Sequence, residues 1–257
     1  MARLYWVVCS SAIRVNAVIK ALLLLLSSGK LGKILLSVGS MLLSLLVYAQ
    51  LFGWRYAAGF MLLLFIHEMG HFIAAKQRGL KVGLPTFIPF VGAWINLKQQ
   101  PMNVETEAYV GFAGPLLGSI AALACYFIGR QTGQDIWLAL AYIGFLLNLF
   151  NLIPLSPFDG GRIVAIVSPK LWLVGVPALV ALFFYRPSPL LLLVALLAAP
   201  QVWSVLRGHH GEQMAPGYYE ATLEQKLQYG CFYLMLLCFL AIMSHDVHLL
   251  LGHLRTT

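Results

Sequence analysis

An all-α polytopic membrane protein, with six to seven transmembrane helices and one small membrane-associated β-hairpin, is the architecture this sequence predicts. Three observations lead there. Of 257 residues, 60% are hydrophobic and only 10% charged, against about 25% charged in a soluble domain. Uncharged runs close to the ~20 residues a bilayer demands recur along the chain. Trp54, Trp137, Trp172 and Trp203 fall near the ends of those runs, where interfacial aromatics belong.

Residues 1–33 carry Arg3, Arg14 and Lys20 before the short apolar stretch Ala21 to Leu26, the pattern of a retained basic amphipathic segment on the membrane surface. Residues 34–206 read as one membrane-embedded domain. Its spanning runs are Ile34 to Trp54, Tyr56 to Ala75, Ala108 to Gly129, Ile136 to Ile153 and Pro187 to Leu206, with a shorter run from Leu171 to Tyr185. Between Lys76 and Glu107, β-branched and aromatic residues broken by Pro85, Pro89 and Gly92 indicate short strands in a hairpin. Residues 207–257 form a polar connector and a last helix, Leu227 to Ser244. Neither connector is long enough for an inserted domain of the usual ~50 residues.

The net charge of +8 suggests nucleic acid in a soluble protein, but here the basic residues flank apolar runs and set orientation instead. With seven spans and the N-terminus inside, thirteen lysines and arginines fall inside and four outside: Arg55, Arg130, Arg186 and Arg255. The location expected is a bacterial or archaeal cell membrane, with the lipid bilayer as surroundings and no nucleic-acid partner. Cys9, Cys125, Cys231 and Cys238 form no C-x-x-C pair and read as core thiols.

Inside the run Tyr56 to Ala75, the stretch His67-Glu68-Met69-Gly70-His71 matches H-E-x-x-H, and Glu68 is the only formally charged residue there. On a helix, histidines at i and i+4 share a face and can hold one metal, with the adjacent Glu68 as general base toward water. The motif also arises by chance. A buried histidine pair satisfied by carbonyls, however, leaves Glu68 unexplained, since an unpaired carboxylate in an apolar helix costs several kcal/mol.

Two histidines need a third protein ligand, with one position left open for catalysis. In NLFNLIPLSPFDGGRIV, Asp159 closes a span and precedes Gly160 and Gly161. Under the inside-N topology that end faces the same side as His71. Glu68 and Asp159 are the two acids that accompany strongly apolar segments; Asp-Gly is also a common turn pair. His209, His210, His245, His248 and His253 lie in connectors or near the C-terminal end.

These residues resemble the site-2 protease family of intramembrane zinc metalloproteases. His67 to His71 resembles its H-E-x-G-H, and Asn151, Pro154, Pro157, Asp159, Gly160 and Gly161 resemble its N-x-x-P-x-x-P-x-D-G-G pattern. Gly111 to Pro115 is similar to its G-x-x-G-P element, and Phe87 to Ala93 to its membrane-associated hairpin. The likeness covers about 56–162, the family's catalytic core. It implies one Zn2+ held by His67, His71 and Asp159, Glu68 as base, a transmembrane protein as substrate, and Asn151 hydrogen-bonding that substrate or the developing oxyanion. Asn151 also reads as a capping or interhelical amide.

An unwound substrate has backbone groups that need partners within the bilayer, and a strand edge can supply them. Ile95 and Asn96 are the substrate-binding candidates on that ground. A membrane metal transporter or sensor could use the same His/Asp set, but it would not need Glu68 beside its ligands.

Overall fold

The computed structural model describes residues 29–88, 92–97, 101–185, 187–208 and 215–254. The N-terminal amphipathic reading falls largely outside them. The chain is predominantly helical: α1 Gly29–Phe52, α2 Trp54–Gln77, α3 Val104–Thr132, α4 Asp135–Asn151, α5 Asp159–Val164, α6 Trp172–Tyr185, α7 Pro189–Leu206 and α8 Leu223–Leu254, with strands β1 Val82–Ile88 and β2 Gly92–Leu97 after α2.

Among the described residues, four helices are long and apolar enough to cross a membrane: α1, α2, α3 and α8. The other three expected spans are shorter. At ~1.5 Å per residue, the 17 residues of α4 reach about 25 Å, less than a ~30 Å hydrocarbon core. This helix stops at Asn151 because Pro154 and Pro157 follow, and proline biases the residue before it away from helical geometry.

The first two helices join by a sharp break, and the hairpin separates α2 from α3. Gly53, at φ 84° and ψ 154°, reverses α1 into α2 with one residue, a conformation that costs a side chain dearly but glycine little. Asn103 caps α3 by accepting from the Thr106 N–H at 2.9 Å, and Glu105 and Glu107 sit in its first turn, where carboxylates favour the positive end of the helix dipole.

Close packing depends on the absence of side chains at the crossings. A Cβ on Gly70 of α2 would lie 2.3 Å from the Ala113 carbonyl oxygen of α3, and one on Gly118 of α3 would lie 2.4 Å from Asn148 Oδ1 of α4. The main core then forms where α3, α4, α5 and α8 meet, around Phe145, Leu152, Leu155, Ile163, Ile166 and Leu240. Phe145 and Phe239 meet edge-on there at 6.0 Å between centroids.

The two strands pair antiparallel, with Thr86 opposite Trp94 and Phe87 opposite Ala93. Helix α1 lies along the outer edge of β1. Ser40 Oγ accepts from the Phe87 N–H at 3.0 Å, and the Ser37 hydroxyl donates to the Pro85 carbonyl. Cys231 and Cys238 are exposed on α8 and Cys125 is half-buried; all three are free thiols. Thus the core-thiol expectation fails for α8, because its hydrophobic residues face outward as well as inward.

Candidate metal centre

His67 and His71 stand one helical turn apart on α2, and Asp159 opens α5; all three are buried. The turn that delivers Asp159 is tightly folded. A Cβ on Gly160 would lie 2.2 Å from the Leu152 carbonyl oxygen, and one on Gly161 would lie 2.6 Å from the Leu155 carbonyl carbon, so the glycine pair lets α5 press onto its own preceding loop. Tyr233 of α8 donates to the Leu152 carbonyl at 2.7 Å, and Trp172 Nε1 donates to the Gly161 carbonyl at 2.8 Å. Those bonds hold the loop from both sides.

The donor atoms converge. His67 Nε2 and His71 Nε2 are each 3.2 Å from Asp159 Oδ2, and 3.2 Å from one another. Three ligands about 2.0–2.1 Å from a tetrahedral centre are spaced about 3.3–3.4 Å apart, so the triangle has the size a zinc ion requires. Among the described residues it is the one cluster of this kind.

The outward nitrogens decide the protonation of both rings. Asn148 Nδ2 donates to the Gly144 carbonyl at 2.7 Å, which leaves Asn148 Oδ1 as the acceptor facing His67 Nδ1 at 2.8 Å. His71 Nδ1 faces the Val110 carbonyl at 2.8 Å. Each Nδ1 must therefore carry a proton, and in a neutral ring each Nε2 then presents a lone pair. Two lone pairs and a carboxylate oxygen converging in a buried space repel one another unless a cation sits between them. The chemistry of the donor set fits zinc.

Glu68 is buried beside His67, within electrostatic reach of His71, His67 and Asp159. Gly114 supplies the room for this arrangement: a Cβ there would lie 2.2 Å from His71 Nε2. The G-x-x-G-P stretch thus has a steric meaning, which is to let α3 approach the face of α2 that carries His67 and His71.

Asn151 is turned to its own helix, its Nδ2 donating to the Leu147 carbonyl at 3.1 Å. Ile95 and Asn96 lie on β2. Sequence reasoning passed over Asn148 and Val110, the partners of the two histidines. A signal existed for Asn148: within IGFLLNLF it is the lone polar side chain. None existed for Val110, which contributes only its backbone.

On the side of Asp159 away from the histidines, charged groups gather. Arg162 Nη1 is 3.8 Å from Asp159 Oδ1, and Arg162 Nε is 3.7 Å from Glu107 Oε1. The Tyr218 hydroxyl donates to Glu107 Oε2 at 2.7 Å. Burial and the Glu107 carboxylate together hold the Tyr218 phenol well above its ordinary pKa. Glu105, in the same first turn of α3, receives Arg78 Nη2 at 2.6 Å and the Tyr229 hydroxyl at 2.8 Å.

The sequence model of Peptidase family M50 matches residues 55–134 and 130–178. A zinc metalloprotease of Methanocaldococcus jannaschii is 33% identical over 111 residues, covering 41% of this chain and 32% of that protein. Rip3 of Mycobacterium tuberculosis, a candidate zinc metalloprotease, is 34% identical over 131 residues, covering 46% and 33%. The chain thus spans about a third of the length of these curated relatives. A solved site-2 protease from M. jannaschii superposes with a TM-score of 0.43 at 21% identity, covering 66% of this chain and 86% of that one. Both parts of the donor triangle, the H-E-x-x-H turn of α2 and the Asp159 turn, fall within the matched residues, and it is through them that this chain is similar to peptidase family M50.

Proposed function

We propose that this chain is an intramembrane zinc metalloprotease, hydrolysing peptide bonds of membrane-embedded protein substrates with Glu68 as general base. The observation that carries the reading is the buried triangle of His67, His71 and Asp159 with Glu68 beside it on an apolar helix. Zinc bound there would supply Lewis-acid polarisation of the scissile carbonyl and acidify a water. Nε2 of His67, Nε2 of His71 and Oδ2 of Asp159 are the atoms that would hold it, and the Asn148 and Val110 acceptors keep both rings aimed. Glu68 takes the water's proton and returns one to the leaving amine.

The finer parts of the reading rest on chemistry and charge. Seven helices cross or enter the bilayer, the N-terminus and the metal centre facing the cytoplasm. Supporting this, Arg78, Glu105, Glu107 and Arg162 come together in ion pairs at one end of the bundle. The hairpin lies against the membrane and clamps an unwound substrate through β2, with Ile95 and Asn96 beside it. Asn151 contacts the substrate after releasing its intrahelical bond.

The test pairs metal content with proteolysis of a membrane substrate in purified protein. About one zinc per chain is expected. Glu68→Gln should retain zinc and lose cleavage, whereas His67→Ala/His71→Ala should lose both. Full cleavage by the Glu68 variant would falsify the mechanism, and undiminished zinc in a folded double-histidine variant would remove the ligand assignment.

A further inference from the structure

Asp159 offers two oxygens, and they face different things. Oδ2 is shared by the two imidazoles, while Oδ1 faces Arg162 across 3.8 Å. Behind Arg162 stands Glu107, and behind Glu107 the Tyr218 hydroxyl. Tyr218 is itself fixed: it is buried, and its carbonyl accepts from the Val104 N–H at 2.9 Å. Three separated pieces of chain, α5, the first turn of α3 and the connector before α8, therefore meet in one line that ends on the metal-facing carboxylate.

We infer that Arg162 is a positioning residue, held by Glu107 and Tyr218, that occupies Asp159 Oδ1 so that Oδ2 alone faces the metal. The proposal rests on the zinc-site reading given above. A carboxylate free to turn could offer both oxygens and close the position that substrate and water need; one anchored on its far side ligates through a single oxygen. The geometry favours this role over a plain surface ion pair. Arg162 stands between two carboxylates with all three side chains a quarter exposed or less, where screening is reduced. Gly111 lets α5 lie close enough: a Cβ there would meet Arg162 Cβ at 3.1 Å. At 3.7–3.8 Å the Arg162 contacts are ion pairs longer than hydrogen bonds, so they act by charge and allow a short adjustment as the site fills.

The experiment is competition for zinc by a graded chelator, in detergent-solubilised full-length protein, for wild type, Arg162→Gln, Arg162→Lys and Tyr218→Phe. Outer partners of metal ligands typically contribute about 10–100-fold in metal affinity. Arg162→Gln should therefore lose about tenfold or more, with Arg162→Lys recovering part of the loss. Tyr218→Phe removes one hydroxyl far from the metal and should weaken zinc a few-fold. Combined with Arg162→Gln it should add little, since the two act along one line. Helical circular dichroism and gel filtration exclude misfolding, and the tyrosine and lysine variants keep the test open if the glutamine variant does not fold. Zinc affinity equal to wild type in folded Arg162→Gln and Tyr218→Phe overturns the positioning role alone. A wild-type protein that takes up no zinc overturns the metal reading and this proposal with it.

Discussion

At the scale of single residues, the centre depends on side chains that never touch the metal. Asn148 fixes the His67 tautomer only because its own amide is oriented by the Gly144 carbonyl. Asn148→Leu should therefore weaken zinc by about 10–100-fold in chelator competition, while Asn151→Ala should keep zinc and slow cleavage. Equal zinc affinity for wild type and the Asn148 variant would show that His67 needs no partner to aim its ring. Gly114 sets a steric limit of a different sort. An added methyl group would overlap the His71 ring, 2.2 Å from Nε2, and backbone carries it, so the ring must move. Gly114→Ala should release zinc and destabilise the fold by about 1–3 kcal/mol, read from metal analysis and thermal unfolding. Normal zinc in that variant would mean that α2 and α3 can separate at little cost.

Elements set what the hairpin can do. The Pro85 carbonyl and Phe87 N–H turn toward Ser37 and Ser40 of α1, so by strand alternation they turn away from β2. Ile95 is opposite Pro85 and Ala93 opposite Phe87, and their backbone groups consequently turn away from β1, to the outer edge of β2. If an unwound substrate adds there, Ile95→Pro deletes an edge donor without breaking the hairpin. It should cut proteolysis several-fold with zinc unchanged, and Ile95→Leu should cleave nearly normally. Asn96→Pro is a harsher change, since by the same alternation the Asn96 N–H itself turns toward β1. Comparable cleavage by the Ile95 proline and leucine variants would reduce the hairpin to a cover over the site. For the edge of β1 the position is already taken, because α1 supplies side-chain partners in place of a third strand.

The whole molecule has a sidedness that its charges predict. On the proposed seven-span topology, which leaves thirteen basic residues on one side and four on the other, Lys81 lies inside and the turn at Gln134 outside; both positions are exposed. In a cysteine-free background, Gln134→Cys should react with an impermeant thiol reagent in intact cells, and Lys81→Cys only after lysis. Labelling in the opposite sense would invert the topology and turn the metal centre to the other face. The ion pairs of Arg78 with Glu105 and of Arg162 with Glu107 gather at the Lys81 end of α2 and the first turn of α3, consistent with a polar end cap on that side.

Much of this was legible in the sequence because it depends on local spacing or on rarity. Two histidines and a glutamate within five residues share a helix face whatever surrounds them, and a lone aspartate after an apolar run stands out among so few acids. The Pro and Gly punctuation likewise marked the turn that carries Asp159. Helix rotation and depth are another matter, because they come from packing between distant segments. That packing brought Asn148 and Val110 to the histidines and set Asn151 against its own helix. It also drew Glu107 and Tyr218, which look like connector residues in the sequence, into a line behind Asp159. The span count belongs to the same class: a hydrophobic run reads alike whether its helix is 17 residues or 29, and only the fold decides where proline stops one and where neighbours bury it. Ligand types were set by composition and spacing, whereas ligand orientation was set by which backbones glycine allowed to touch.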